Sequence, residues 1–227
     1  MKRILFLFLF VFVSGIAFAD MTIIQKIASG PMMGQPARND VMTMRIKGSK
    51  ARIDFESGET SQIVDVQAGK MYVLDHSKKQ VMVMTTDMMR QTGEMFSKMG
   101  GGQSMNMNFQ KTNKTQTING YKCDEYTMTT SGPMSMTATY WITNDIDDKE
   151  FKPFKEFGES FMKMMGATNA PEGMPIRSET KMTMMGKNIT SSAEVQKISH
   201  DALSDTLFDL PKDYSVSEMP DMMQPHK

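Results

Sequence analysis

Apolar and polar residues alternate with a period of two along most of this chain, and this pattern limits the folds open to it. Met42, Met44 and Ile46 are separated by polar residues, and the same alternation covers residues 50–55 and 134–143. A period of two places the apolar set on one face of a strand and the polar set on the other. Such half-buried strands are typical of antiparallel sheets.

Short turn signals such as Lys47-Gly48-Ser49, Asn119-Gly120 and Gly186-Lys187-Asn188 separate the alternating segments. The fold class predicted is therefore mainly β with a few helices, built on one large curved antiparallel sheet. The predicted strands are 22–29, 42–47, 50–55, 60–66, 69–75, 79–86, 107–112, 114–118, 121–130, 134–143, 176–185 and 188–198.

Two segments follow a helical period instead. Apolar residues including Met95 recur at helical spacing over 87–99, where Thr86 or Asp87 can cap the start. From Pro153, the residues Phe154, Phe157 and Phe161 form a second apolar stripe. Two short helices among strands need the sheet to bury their stripes, so we expect both on its concave face.

The first nineteen residues have the three parts of a secretory signal peptide. Lys2 and Arg3 precede the apolar run 4–13, and Ala17-Phe18-Ala19 supplies the small-x-small pattern that signal peptidase accepts. The run is shorter than the roughly 20 apolar residues of a membrane-spanning helix. We therefore expect cleavage between Ala19 and Asp20, a periplasmic or secreted protein, and no stable membrane span.

The remaining residues fit one domain, 20–216, followed by a polar tail, 217–227, that we expect to be disordered. The 26 basic and 26 acidic residues balance, and no basic face indicates a nucleic-acid partner. Cys123 is the only cysteine, so it cannot pair within the chain, and burial is its expected role. We expect a monomer.

Several short stretches resemble a known family. They are Lys70 to His76, Ile118 to Tyr126, Tyr140 to Thr143 and Phe208 to Tyr214. Their order and spacing are similar to those of an exported bacterial family of unknown function. That family resembles the periplasmic lipoprotein carriers LolA and LolB and the mycobacterial lipid-binding lipoproteins. The resemblance implies a half-open barrel of about eleven antiparallel strands with helices in its mouth.

Lipid binding is the first functional hypothesis, with a hydrophobic small molecule, a lipid or a lipoprotein as the partner. An apolar cavity between sheet and helices could hold an acyl chain, and unbranched Met side chains suit a wall that adapts to its ligand. A closed core in a structural or partner-binding domain explains the same residues. The predicted cavity residues are Met42, Met44, Ile46, Ile53, Phe55, Met95, Met134, Met136, Tyr140, Phe154, Phe157 and Phe161.

Binding of Cu(I) or Ag(I) is the second hypothesis, because the chain has 28 methionines and thioethers are soft ligands. Met-x-Met occurs at 42–44, 82–84, 105–107, 134–136 and 182–184. Most of these pairs lie in predicted strands, where they are also explained by packing.

An enzyme is not expected, because the chain has no nucleophile elbow, no phosphate-binding glycine loop and no Cys or His cluster. His76 precedes a predicted turn, where we expect it to be solvated. We predict no cofactor.

Overall fold

The computed structural model describes residues 20–31, 37–88, 90–91, 106–131, 135–146, 152, 155–156, 158–159, 167, 169–184 and 187–218. These residues form twelve strands and one short 3-10 helix. The strands are β1 (Met21–Ser29), β2 (Arg38–Lys47), β3 (Lys50–Phe55), β4 (Thr60–Asp65), β5 (Lys70–Asp75), β6 (Gln80–Thr85), β7 (Asn106–Ile118), β8 (Tyr121–Ser131), β9 (Ser135–Thr143), β10 (Met174–Met184), β11 (Lys187–Ser199) and β12 (Ser215–Glu218).

All twelve strands belong to one sheet, in the order β12-β6-β5-β4-β3-β2-β1-β11-β10-β9-β8-β7. Two antiparallel meanders, β1 to β6 and β7 to β11, are joined where β1 pairs with β11. β12 pairs with β6 in parallel and forms one end of the strand order. β7 forms the other end, so the sheet is open and not a closed barrel. The predicted fold class is confirmed.

Two strand predictions were wrong in detail. The segments 107–112 and 114–118 form one strand, β7, with an irregularity between Lys111 and Thr115. β12 was not predicted, because its four exposed residues carry no apolar alternation. Ser217 and Glu218, the first residues of the expected disordered tail, lie in this strand; residues 219–227 lie outside the described part of the chain.

The sheet curls around one face. The side chain of Asn119, in the turn between β7 and β8, donates a hydrogen bond of 2.6 Å to the carbonyl oxygen of Val195 in β11. β8 and β11 are three places apart, about 14 Å in a flat sheet, so the hairpin end must bend towards β11. Ile118 beside this turn joins the buried cluster of Met21 and Val195. We call the enclosed face, which carries Met21, Met44 and Val195, the inner face.

The opposite face is covered by a segment that we call the strap, residues 200–214. Its backbone accepts hydrogen bonds from Lys47 at Leu203 and from Arg52 at Leu207. Further along, Leu210 and Tyr214 pack on a second buried cluster. That cluster consists of Ile63, Leu74 and Val81. The strap therefore crosses from β2 to β6, where the chain continues into β12.

Helical residues occur at both positions predicted for helices. They are 86–88 and 90–91 after β6, and 152, 155–156 and 158–159 after β9. Thr85, and not Thr86 or Asp87 as expected, caps the first turn by accepting from the amide of Met88 at 3.3 Å. Within the described part of the chain, no helix is both long and apolar enough to cross a membrane.

Candidate functional site

Seven of the predicted cavity residues lie in described strands, and cross-strand pairing places all seven on the inner face. They are Met42, Met44, Ile46, Ile53, Phe55, Met136 and Tyr140. The other five lie outside the described residues, so the helix side of the predicted cavity stays a prediction. They are Met95, Met134, Phe154, Phe157 and Phe161.

Burial on the inner face changes along the strands of the first meander. At the base, Met21, Ile46, Ala51 and Val64 lie side by side and are between 0% and 8% exposed. One row further along the strands, Met44 and Ile53 are only half-buried, and the next row, Met42 and Phe55, is half-buried as well. The face is therefore closed at its base and less covered towards Met42 and Phe55.

A second apolar cluster covers the inner face of β7 to β9. It contains the buried Met107, Phe109, Met128, Ala138 and Ala167, with Met136 and Tyr140 packed against it. The rings of Phe109 and Tyr140 are 5.9 Å apart. Burial raises the pKa of Tyr140, although a hydrogen bond with Thr180 opposes the shift. This cluster holds the other two described cavity residues.

Asn169 fastens the chain after the second helical segment to the edge of the sheet. Its side-chain amide accepts from the backbone N–H of Phe109 at 3.1 Å and donates to the carbonyl oxygen of Phe109 at 2.6 Å. Ala167 forms a bridge with Met107. These contacts cover part of the β7 edge, whose backbone groups would otherwise be open to another chain.

Small and polar side chains lie on the inner face between the two apolar clusters. One row of this face runs from β9 to β1 across four strands. It consists of Tyr140 in β9, Ser178 in β10, Ala193 in β11 and Ile27 in β1. The next row along contains Thr180, opposite Ser191. None of these residues in β10 and β11 carries a large apolar side chain, so these two rows are lined by small side chains, whereas Val195, one row nearer the base, is fully buried.

A cavity of about 1470 Å³ lies against the end of β1, the start of β2, the middle of β10 and β11, and the turn between β3 and β4. None of the predicted cavity residues lines it, and no sequence pattern indicated it. Its described lining is mostly polar and charged: Lys26, Ile27, Ala28, Ser29, Gly30, Ala37, Arg38, Asn39, Asp40, Val41, Glu56, Ser57, Glu59, Arg177, Glu179, Ser192, Ala193, Glu194 and Gln196.

Arg38 joins this polar cavity to the apolar inner face. Its guanidinium carbon lies 5.6 Å from the centre of the Phe55 ring, and its Nη2 donates to Asp40 at 2.9 Å. Burial alone would raise the pKa of Asp40, but hydrogen bonds from Ser57, Val41 and Arg38 outweigh it and lower the pKa. Asp40 therefore stays a carboxylate that fixes Arg38 at the border. We call Arg38, Asp40 and Phe55 the junction.

The sequence predicts that His76 is a solvated turn residue. This prediction is wrong, because both ring nitrogens of His76 have side-chain partners. Its Nε2 lies 2.8 Å from the hydroxyl of Ser61, and its Nδ1 lies 2.8 Å from the hydroxyl of Tyr214 in the strap. Ser61 donates its own proton to Asp54 at 2.7 Å. His76 must therefore donate to Ser61, whereas a catalytic histidine would accept from its serine. With Ser61 only 3% exposed, this network fastens the strap to β4 and β5.

Cys123 is fully buried and unpaired. Burial raises the pKa of its thiol, and Asp145 nearby adds to the shift, so the reactive thiolate is disfavoured. Among the described residues, no group of three or more His, Cys, Asp or Glu side chains could hold a metal ion.

Solved structures similar to this chain share little sequence with it. An uncharacterized conserved protein from Thermus thermophilus is 7% identical, with a TM-score of 0.50 over 89% of this chain and 91% of that one. This likeness concerns the fold alone. PNGF-II is 13% identical with a TM-score of 0.43; the match covers 88% of this chain but only 31% of that one. A LolA superfamily protein from Nitrosomonas europaea is 6% identical, with a TM-score of 0.34 over 85% of this chain and 90% of that one.

Comparison by sequence gives a family but no characterised relative. No curated protein matches the chain. A family model described as "Domain of unknown function (DUF4412)" matches residues 32–214, which is most of the chain and includes the ten strands β2 to β11. The prediction of a family of unknown function is thereby confirmed, and the chain belongs to the DUF4412 family.

Proposed function

We propose that this protein is a non-enzymatic binding protein of the bacterial periplasm that holds an amphiphilic molecule, a lipid or a lipidated partner. The acyl chain lies on the inner face, and the polar head group lies in the polar cavity. The observation that carries this proposal is the junction, where Arg38 lines the polar cavity and also lies over the ring of Phe55 on the inner face.

The apolar part of the site supports an acyl chain. Met42, Met44, Ile53 and Phe55 form a half-buried patch beyond the closed base. Covering such a surface with a fatty chain contributes about 0.8 kcal/mol for each methylene removed from water. The small residues between this patch and the cluster at β7 to β9 leave two rows of the face to a ligand. Met side chains there can adjust to chains of different length.

The polar part of the site supports a head group with hydrogen-bonding and charged atoms. Phe55 is followed directly by Glu56, which lines the cavity, and the Arg38 side chain spans the border on the Phe55 ring. A ligand with an apolar tail and a polar head would satisfy both surfaces at once. A purely apolar ligand would leave the cavity unused.

Native mass spectrometry of the mature protein, purified from a bacterial periplasm without detergent, tests the proposal. We expect an additional mass that lipid extraction identifies as a fatty acid or a phospholipid. If the mass is bare and the protein also fails to take up a fluorescent fatty acid, the inner face is a closed core and the proposal is wrong.

A matched pair of variants locates the site. Met42→Gln places a polar amide on the inner face, whereas Thr43→Gln places the same group on the opposite face of the same strand. An unpaired amide in an apolar wall costs about 1–3 kcal/mol, so we expect Met42→Gln to weaken binding of the fluorescent fatty acid at least tenfold. Thr43→Gln should change the Kd by less than twofold. Equal losses in the two variants would place the ligand elsewhere.

A further inference from the structure

We propose that the β5–β6 hairpin binds one soft monovalent cation, Cu(I) or Ag(I), between the thioethers of Met71, Met82 and Met84. This site lies on the inner face, at the end of the first meander that is remote from β1. It uses none of the residues of the junction, and the proposal does not depend on lipid binding.

The strand register brings these three methionines together. Met71 in β5 is directly opposite Met84 in β6, and Met82 lies two residues before Met84 on the same face. Side chains directly opposite each other have Cβ atoms about 5 Å apart, and diagonal neighbours are about 7–8 Å apart. A methionine has three rotatable side-chain bonds, so three sulfurs on such a triangle can reach one ion.

The two faces of β6 differ in burial, although Met71, which is opposite Met84, also packs against the buried cluster of the base. Val81 and Val83, on the strap face, are 0% and 7% exposed, and β-branched residues are those that strands favour. On the inner face, Met82 is 39% exposed, and Met71 and Met84 are half-buried. A side chain exposed to this degree gains little from burial. Its thioether is, however, accessible to an ion from solution.

The thioether ligands determine which metal ions this site can bind. Thioethers are neutral, soft donors that favour Cu(I) and Ag(I) over Zn²⁺ and over hard divalent cations. Since the described residues contain no group of His, Cys, Asp or Glu suited to a metal, these three sulfurs provide the best set of ligands in the described part of the hairpin. Three sulfurs in a triangle match the low coordination numbers of these ions.

Met-x-Met spacing alone does not predict this site. Met42 and Met44 have the same spacing on the same face, but their partners across the sheet are Phe55 and Ile53. A third sulfur lies across the sheet where Met71 is opposite Met84, and again where Met136 in β9 is opposite Met182 in β10; the sequence reveals neither pairing without the register. This difference supplies a control within the same protein.

The test is a titration of the mature protein with silver nitrate in chloride-free buffer, followed by NMR of ¹³C-labelled methionine methyl groups. Single variants Met71→Leu, Met82→Leu and Met84→Leu assign the three resonances, and leucine preserves the side-chain volume closely enough to keep the fold. We expect these three resonances to shift together and to stop shifting at one equivalent of silver.

The affinity for the first silver ion distinguishes this site from other methionines. We expect the triple variant Met71→Leu/Met82→Leu/Met84→Leu to bind it at least tenfold more weakly, and Met42→Leu/Met44→Leu to bind it as the natural protein does. Circular dichroism confirms that each variant is folded. If the first equivalent shifts other methionine resonances, or if the triple variant keeps its affinity, the proposal is wrong.

Discussion

The base of the inner face and its opposite end are built from the same residue types but differ in packing. At the base, Met21, Ile46 and Ala51 are almost completely buried. Only a few residues further along the same strands, Met42 and Phe55 are half-buried and adjoin a polar cavity. Methionine and isoleucine in alternation thus give a closed core in one place and an open surface in the other.

This difference shows that alternation identifies which face a residue occupies but not how deep it lies. Depth is set by what covers the row. The base is covered by the curled hairpin end at Ile118 and Asn119, which reaches β11. That covering comes from residues far away in sequence, so stability should depend on the base and binding on the opposite end.

The largest expected effect is the difference in unfolding free energy between a substitution at the base and one at the opposite end. Ile46→Ala removes a side chain that is 2% exposed, and such substitutions cost about 2–5 kcal/mol when the cavity cannot collapse. Met42→Ala removes a half-buried side chain from the same face of the same strand, and we expect a loss below about 1.5 kcal/mol. Urea unfolding followed by circular dichroism measures both. Similar losses would mean that the face is packed equally along its length.

A second comparison concerns the backbone at the base. Gly173 has a positive φ of 102°, and a Cβ there would come within 2.5 Å of the carbonyl oxygen of Thr143. Gly173→Ala should therefore cost about 2–4 kcal/mol from strain and overpacking. Gly48 also has a positive φ but has open space around it, so Gly48→Ala should cost about 1 kcal/mol. Thermal unfolding of the two variants tests the difference.

The smallest expected effect concerns the polar cavity. Partial burial of Glu194 would raise its pKa, but Arg177, at 2.6 Å, together with Gln196 and Asn119, lowers it overall. Because the folded pKa is the lower one, this carboxylate contributes stability above the unfolded pKa of glutamate, and the contribution is lost as pH falls through the folded value.

The variant Glu194→Gln tests whether the ionised carboxylate stabilises the fold at neutral pH. The variant should be less stable than the natural protein at pH 7 by below about 1 kcal/mol, since the pair is partly exposed. The difference should shrink as the pH falls below about 4.5. Urea titrations at pH 7 and pH 3.5 measure it. A difference that stays constant with pH would show that the amide perturbs packing and not charge.

Much of the fold could be predicted from the sequence, because alternation and turn residues are local signals. Eleven strands were placed, although β7 was divided into two at its irregularity. β12 could not be predicted, since its position depends on the strap that carries Tyr214 to the edge of β6. A strand whose position depends on a partner distant in sequence has no apolar alternation of its own by which it could be recognised.

The site was predictable only in part, for the same reason. The register places Met42 and Phe55 on one face with Tyr140, but their role as cavity residues stays a prediction. The polar cavity was not predicted, because it is assembled from parts of four strands and a turn whose residues look like ordinary solvent-exposed positions. The hydrogen bonds of His76 were missed as well, since both of its partners are remote in sequence.

The central position of β1 has a consequence for how the sheet folds. Each meander can form from neighbouring strands, but the two halves join only when Ile23 finds Ile198 at the far end of the chain. Contacts between such distant segments carry a large entropic cost of closure and slow folding. Because β1 is near the start of the chain and β11 near its end, the two halves of the sheet can join only after almost all of the chain has been made.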